Sequence, residues 1–265
     1  MLSVAITTFN RKYVVCRAIQ SALDFVKPVG GMVVVVDDGS TDLTEHEISN
    51  RFYQHIMSGK LLYFLHERNQ GVTAAKNTAF SLCPAHWILF LDSDDELIKG
   101  VAEPVIDLLL KHRDEALVFF RCVDQKGGFI GRQFVKPKLL TLPIYASHAS
   151  YGEALIAINK PVAPDPPFDA DLRGYEGVGC ARLISRHGPA LLSTIIARRY
   201  NLSRRDRLSS FAGTLQRSAH LAQGHLRYIA ICGAAMQPST RYLLLVKALM
   251  YYLLSFIAKL LPKND

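Results

Sequence analysis

Two clusters of acidic residues, each at the end of an apolar run, are the residues of this chain best suited to chemistry. The first cluster follows Val33–Val36 and the second follows Trp87–Leu91. Runs rich in β-branched and aromatic residues are typical of strands buried on both faces. Carboxylates that directly follow such strands lie at the carboxyl edge of a parallel sheet, where open α/β sheets bind ligands. The five carboxylates are Asp37, Asp38, Asp92, Asp94 and Asp95.

The spacing of the second cluster predicts a site for a divalent cation and a nucleotide. Asp92 and Asp94 lie one residue apart and can bind a cation and a ribose together. Mg²⁺ and Mn²⁺ prefer oxygen ligands and usually share them with substrate phosphates. Because three carboxylates crowded after one strand repel each other, a cation or hydrogen-bond donors must compensate them.

Four motifs extend this pattern over roughly the first hundred residues, and together they are specific where each alone is weak. With them the chain resembles family 2 glycosyltransferases of the GT-A fold. The resemblance implies an α/β fold with a mostly parallel, Rossmann-like sheet flanked by helices, and a helical C-terminal appendage. We expect a glycosyltransferase domain over residues 1–210 and a membrane-associating or oligomerisation region over 211–265. The motifs are Ser3–Arg11, Val36–Asp42, Asn69–Asn77 and Leu91–Glu96.

The same resemblance implies a metal-dependent, inverting transfer of a sugar from a nucleotide donor, expected to be UDP-linked. The acceptor would be a glycan or a lipid-linked molecule in bacterial surface polysaccharide or lipopolysaccharide synthesis. The cofactor would be Mn²⁺ or Mg²⁺, bound by Asp94 with Asp92. The residues expected to bind the nucleotide are Thr7, Phe9, Arg11, Asp37, Asp38, Lys76 and Asp92.

Further residues are expected to contact the donor sugar or its phosphates. Asn77 and Asp95 belong to the motifs above. Arg204, Arg205 and Arg207 lie in a dense basic segment, and the planar fork of arginine suits bidentate bonds to phosphate. We expect one or two of these three arginines to bind phosphate.

The catalytic base is sought in Phe168–Gly177, which resembles the stretch where the family usually has a Glu-Asp pair. Glu176 matches the first acid and is our choice of base, with Asp171 second. Gly177 replaces the second acid, which leaves open that the chain binds a nucleotide without transferring sugar. A carboxylate that takes the acceptor proton implies a single displacement and therefore inversion.

Alternating strand and helix patterns predict the elements that must position these residues. Such alternation favours βαβ units, a parallel sheet and right-handed crossovers. Residues 127–131 suggest a turn or hairpin, Pro161–Pro167 a loop, and the chain after Arg205 helices. The predicted strands are Val4–Thr8, Met32–Asp37, Leu61–His66, Trp87–Asp92 and Ala116–Val123. The predicted helices are Lys12–Val26, Leu43–Ser58 capped by Asp42, Val72–Leu82 and Gly100–His112.

Charge and hydropathy are unevenly distributed along the chain. The net charge is +8. Residues 186–265 hold twelve Lys or Arg against two Asp, a balance of +10, so the rest carries −2. Tyr242–Leu261 is mostly apolar, with Lys247 on a polar stripe, which favours a helix lying in an anionic membrane surface. Packing in the core, pairing with a second copy and spanning the bilayer are the alternatives.

The remaining composition predicts an intracellular protein. Five scattered cysteines without metal-ligand spacing favour reduced thiols, and the first residues lack a signal-peptide pattern. We therefore expect a cytoplasmic protein, peripheral on the inner face of the cell membrane. A nucleotidyltransferase is the competing enzyme class, but Thr8–Arg11 lacks the glycines of its phosphate loop. A nucleic-acid-binding protein would leave the acidic clusters unexplained, so we expect no nucleic acid partner.

Overall fold

The structure, a computed structural model, describes residues 2–147, 152–201 and 211–260. The strands are β1 (Leu2–Thr8), β2 (Met32–Asp37), β3 (Leu61–Leu65), β4 (Trp87–Asp92), β5 (Glu96–Leu97), β6 (Leu117–Val123), β7 (Lys138–Leu140), β8 (Ala154–Asn159) and β9 (Ala190–Arg199). The helices are α1 (Lys12–Val26), α2 (Thr44–Arg51), α3 (Tyr53–Met57), α4 (Val72–Leu82), α5 (Ala102–Lys111), α6 (Leu142–Ala146), α7 (Glu176–His187), α8 (Phe211–Gln216), α9 (Ser218–Cys232) and α10 (Pro238–Leu260).

These strands form one mixed sheet in the order β3-β2-β1-β4-β8-β6-β9-β5, with β7 also paired to β9. The first four strands in this order, β3, β2, β1 and β4, are parallel to one another, as the βαβ pattern predicts. Strand β8 runs antiparallel between β4 and β6, and β9 returns parallel to β6. The predicted α/β fold, with a sheet flanked by helices, is therefore confirmed, and the sheet is parallel over β3-β2-β1-β4.

The register of the sheet brings the polar ends of distant segments to one edge. Thr7 of β1 lies opposite Asp92 of β4, and Thr8 lies opposite Asp37 of β2. Strand β9 reaches the same edge from the other half of the sheet, where Arg198 pairs with Cys122 of β6. Because all these strands run in the same direction, their carboxyl ends gather side chains that are far apart in the sequence.

Apolar side chains on both faces of the sheet explain why these runs become strands. One face packs against α1, α2 and α5, and the other packs against α4 and α7. Val33–Val36 of β2 is completely buried because it supplies alternate residues to the two cores. Burial of this kind is the main favourable term in folding, worth about 1.5–3 kcal/mol for each large apolar side chain.

The C-terminal helices form a third cluster of buried side chains with α6 and α7. Tyr228 and Ile229 of α9 and Leu244 of α10 belong to it. Helix α10 spans 23 residues. In the part of the chain that the structure describes, no helix is both long enough and apolar enough to cross a membrane.

Two regions differ from the sequence prediction. The helix predicted over Leu43–Ser58 begins at Thr44 and breaks at Phe52, whose ring is buried while its backbone leaves the helical conformation. Asp42 does accept a hydrogen bond from the Thr44 amide, as expected of a cap, although Leu43 itself has a left-handed backbone. Helix α7 and strand β9 were not predicted.

Candidate active site

Two buried cations contact Asp92 in the second acidic cluster. Lys76 of α4 lies with its Nζ 3.0 Å from Oδ1 of Asp92. Arg198 of β9 donates from Nη1 to Oδ2 of Asp92 at 3.3 Å. Loss of solvent favours the neutral acid, but the two cations hold the pKa of Asp92 below its usual value. The carboxylate repulsion inferred from the sequence is therefore compensated by the protein itself.

The other carboxylates of this cluster have different surroundings. Asp95 is fully buried, accepts a hydrogen bond from the Asn201 amide at 2.9 Å and lies 3.2 Å from Nη1 of Arg198. Burial, together with the nearby carboxylates of Asp92 and Asp94, raises the pKa of Asp95 to about 7 despite the opposing effect of Arg198. Asp94 is only partly exposed, and its carboxylate has no hydrogen bond or ion pair to any residue within the described ranges. Asp95 thus helps to fix Arg198 and the Asn201 backbone, while Asp94 is available to a ligand.

Lys76 also connects the acidic cluster to the candidate base. Its Nζ donates to Oε1 of Glu176 at 2.9 Å. Burial disfavours the lysine charge, but Asp92 and Glu176 together raise the pKa of Lys76. A buried, charged lysine therefore holds the two carboxylates at one ammonium group. Glu176 begins α7, where the helix dipole favours a negative side chain.

Asp171, the second choice of base, is engaged elsewhere. Both of its oxygens accept hydrogen bonds from Arg227 of α9, at 2.8 and 2.5 Å. These bonds lower the pKa of Asp171, which makes it a weaker proton acceptor. Asp171 is thus bound to α9, whereas Glu176 is held by Lys76 beside the acidic cluster.

The first acidic cluster divides into one residue that lines a cavity and one that holds a turn. Asp38 is buried and accepts hydrogen bonds from the amides of Gln70 and Gly71, at 2.9 and 2.7 Å, and from Nδ1 of His66 at 2.8 Å. Asp37 is also buried, and its oxygens accept from the Ser40 amide and the Tyr63 hydroxyl. Asp38 therefore fixes the loop before α4, while Asp37 fixes the turn after β2.

A polar cavity of about 630 Å³ lies at this edge of the sheet. Its size falls within the range of small-molecule sites. Four of the predicted nucleotide ligands line it, and they are Thr7, Phe9, Arg11 and Asp38. Ser93 of the second cluster lines it as well, so the cavity reaches from Asp38 to the Asp92–Asp95 segment.

The sequence did not indicate three basic residues around this region. Arg173 and Arg217 line the polar cavity, and Arg217 donates to the carbonyl of Arg173 at 3.2 Å. Gly71 has a φ of +100° and approaches the Arg173 side chain so closely that a Cβ would collide with it. The third is Arg198, which is a buried strand residue. The signal that could have located it is the apolar run Ala190–Ala197, which ends at two arginines.

Other predicted ligands are placed differently. The Asn77 side chain donates to the Phe168 carbonyl and accepts from the Phe168 amide, so it fixes that backbone rather than facing the cavity. Arg204, Arg205 and Arg207 lie outside the residues that the structure describes.

The residues present fit a divalent cation only in part. Across residues 2–147, 152–201 and 211–260, no group of three or more His, Cys, Asp or Glu side chains is arranged to hold a metal ion. Each oxygen of Asp92 already faces a cation, whereas the Asp94 carboxylate is available. An oxygen donor of this kind fits Mg²⁺ or Mn²⁺ when substrate phosphates supply further ligands.

Comparison with known proteins places the sequence among glycosyltransferases. The sequence model of Glycosyl transferase family 2 matches residues 3–151. A GalNAc(5)-diNAcBac-PP-undecaprenol beta-1,3-glucosyltransferase from Campylobacter jejuni is 32% identical over 138 residues, which are 50% of this chain and 41% of that protein. The chain spans less than two thirds of the length of the first curated relatives that it matches.

Solved structures resemble the whole fold. The mannosyltransferase PcManGT from Pyrobaculum calidifontis, in complex with GDP-Man and Mn²⁺, aligns with a TM-score of 0.67 at 16% identity. That alignment covers 97% of this chain and 75% of the other. S. aureus TarS 1-349, in complex with UDP-GlcNAc, aligns with a TM-score of 0.66 at 15% identity over 95% of this chain and 72% of that one. These likenesses confirm the GT-A-like fold.

Replacing Arg198 tests whether the cluster depends on its buried cation. We expect Arg198→Gln to lower the free energy of unfolding by about 3–5 kcal/mol, because it leaves buried carboxylates unpaired. The matched control, Arg199→Gln on the exposed neighbour, should change it by less than about 0.5 kcal/mol. Urea denaturation measures both variants. Equal losses in the two would contradict a special role for Arg198.

Proposed function

The chain belongs to glycosyl transferase family 2, and from that premise we propose that it transfers a sugar from a UDP-linked donor to an acceptor hydroxyl with inversion. One observation carries this proposal: Lys76 holds Asp92 and the candidate base Glu176 on one ammonium group, beside a cavity of nucleotide size. Leaving group and base must lie on either side of the anomeric carbon for in-line displacement. The shared lysine keeps Asp92 and Glu176 close enough to act at one anomeric carbon.

In this proposal the nucleotide occupies the polar cavity. Asp38 and the backbone amides of its loop would recognise the base, and Phe9, 41% exposed, would pack against it. Arg173 and Arg217 bring positive charge toward the diphosphate. The complex of TarS with UDP-GlcNAc supports a UDP-linked donor, whereas PcManGT, which has the same fold, is in complex with GDP-Man.

We propose that Asp94 holds Mn²⁺ or Mg²⁺ together with the donor diphosphate. The ion would neutralise the charge that develops on the leaving group. Asp92, already paired with Lys76 and Arg198, would orient the ribose and reach the ion only by exchanging one of these partners. Glu176 would accept the proton of the attacking hydroxyl, and no side chain is required as a nucleophile.

The acceptor and the cellular site belong to the same proposal. The Campylobacter relative is named for an undecaprenol-linked acceptor, which supports a lipid-linked or glycan acceptor in bacterial surface polysaccharide or lipopolysaccharide synthesis. We propose that residues 1–210 form the catalytic domain and that residues 211–265 bring it to the inner face of the cell membrane. Helix α9 also contributes His220 to the polar cavity, so the C-terminal region helps to build the donor site.

The outward face of α10 supports membrane contact. Leu244, Ala248 and Ser255 are buried against the protein. The opposite face is exposed and apolar over four helical turns, and Arg241 and Lys247 flank it with positive charge. Exposed patches of this kind mark interaction surfaces. The exposed apolar residues are Tyr242, Leu243, Leu245, Val246, Leu249, Met250, Tyr252, Leu253 and Phe256.

Calorimetry with nucleotides tests the donor and the metal together. We expect UDP to bind at least ~10-fold more tightly with Mn²⁺ than with EDTA, because the ion bridges Asp94 and the diphosphate. Asp94→Asn should remove this gain. Asp107→Asn on the exposed face of α5 should keep it. Tighter binding of GDP than of UDP would contradict the donor, and equal affinity in Mn²⁺ and EDTA would contradict the metal.

The role of Glu176 is tested by slow hydrolysis of a UDP-sugar, in which water replaces the acceptor. We expect Glu176→Gln to lower turnover by ~10²–10⁴-fold, because the amide cannot accept a proton. UDP affinity should stay nearly constant, since glutamine can still accept a hydrogen bond from Lys76. Asp171→Asn is the matched control and should change turnover by less than ~3-fold. Loss of turnover in Asp171→Asn alone would transfer the role of base to Asp171.

Flotation with liposomes tests the membrane surface. We expect the wild type to float with vesicles containing anionic lipid, less so at high salt, because screening weakens attraction to Arg241 and Lys247. Replacing Leu245, Leu249 and Leu253 by glutamine should abolish flotation. The matched control replaces Leu43, Tyr53 and Met57, equally exposed apolar residues elsewhere, and should float normally. A wild type that never floats but sediments as a dimer would instead assign this face to a second copy.

A further inference from the structure

A second cavity, of about 700 Å³, lies beside the acidic cluster, and apolar and aromatic residues form most of its lining. Its walls come from β6, β8 and β9 on the sheet side and from α6, α7 and α9 on the helical side. Aromatic rings form much of the surface, among them Phe119, Tyr145, Tyr175 and Tyr228. Phe119 and Tyr145 stack with their centroids 6.1 Å apart.

The lining of this cavity is almost uncharged. Burial raises the pKa of Cys180 to about 12, and it also raises the pKa of Tyr145 and of Tyr228 above their usual values. Glu153 is the single carboxylate among the described lining residues. A mainly apolar cavity with one charged group suits an amphipathic ligand.

Two lining residues, Glu153 and Gly177, connect this cavity to the acidic cluster. Oε2 of Glu153 lies 3.7 Å from Nη2 of Arg198, which also binds Asp92. Gly177, which lines the cavity, directly follows Glu176. The segment Arg173–Gly177 separates the two cavities, since Arg173 lines the polar one while Tyr175 and Gly177 line the apolar one.

Glycine at position 177 keeps this cavity open. A Cβ built there would meet only the Tyr145 hydroxyl at 3.8 Å and Cε1 of Tyr175 at 3.9 Å, so a side chain would extend into the free space. A carboxylate at this position would add a second charge to the apolar walls. Without a carboxylate at position 177, apolar atoms of a ligand have room next to the candidate base Glu176.

We propose that this cavity binds the apolar part of an amphipathic acceptor, whose sugar hydroxyl is thereby presented to Glu176. The inference rests on the proposed function and narrows its acceptor from any glycan to a glycan carrying an apolar aglycone. The aliphatic and aromatic walls would bind the aglycone, while Glu153 would contact the polar sugar. A purely polar glycan would leave these walls uncovered.

Calorimetry with simple glycosides, in the absence of donor, tests the ligand class. We expect octyl β-D-glucopyranoside below its micellar concentration to bind at least ~30-fold more tightly than methyl β-D-glucopyranoside, because each buried methylene contributes. Gly177→Asp should weaken octyl glucoside binding at least ~10-fold, because it places a charge among apolar walls. Gly177→Ala, the matched control, should change it less than ~3-fold. UDP affinity should stay within twofold in both variants.

A second control separates the cavity from the exposed face of α10. Leu249→Glu should leave octyl glucoside affinity unchanged. Equal affinity for the two glycosides, or a loss in Leu249→Glu but not in Gly177→Asp, would overturn the inference. If UDP does not bind but octyl glucoside still binds more tightly than methyl glucoside, the proposed function is contradicted. The same result would still support an apolar ligand for this cavity.

Discussion

The contact of one buried lysine with two carboxylates is the interaction on which the rest of the site depends. Asp92 ends a central strand and Glu176 begins a helix 84 positions later, and the ammonium group of Lys76 holds both within 3.0 Å. Without a cation, two acids this close would favour protonation and separation. Arg198 completes the compensation from the far half of the sheet. The charge balance of the edge therefore comes from the protein before any metal binds.

Two cavities lie near this contact, and they differ in the residues that line them. Arg173, Arg217 and Ser93 line the polar cavity, and Gly177 lines the apolar cavity. The C-terminal helices take part in both, since α9 contributes His220 to the first and Tyr228 to the second. The inward face of α10 packs on α9, while its outward face remains exposed. The proposed donor site, acceptor cavity and membrane surface thus all involve α9 or α10.

Local patterns predicted the first half of the fold because strands such as Val33–Val36 are buried on both faces and end at polar residues. The same logic located Asp38, Asp92 and Asp94 at one edge. The apolar run Ala190–Ala197 indicates a strand that reaches Arg198. Its place beside β6 could not be recognised locally, because Arg198 pairs with Cys122, 76 residues earlier in the chain. Asp37 and Asn77 were expected to bind donor, but both hold the backbone around the site. Local sequence does not distinguish a polar group that binds a ligand from one that supports it.

A crystal structure with UDP and Mn²⁺ is the measurement that tests the central claim most directly. The account predicts the uracil ring in the polar cavity near Asp38 and Phe9. It also predicts the diphosphate beside Ser93 with the ion on Asp94, and the contact of Lys76 with Asp92 and Glu176 retained. Nucleotide bound in the apolar cavity, or an ion coordinated away from Asp94, would contradict it.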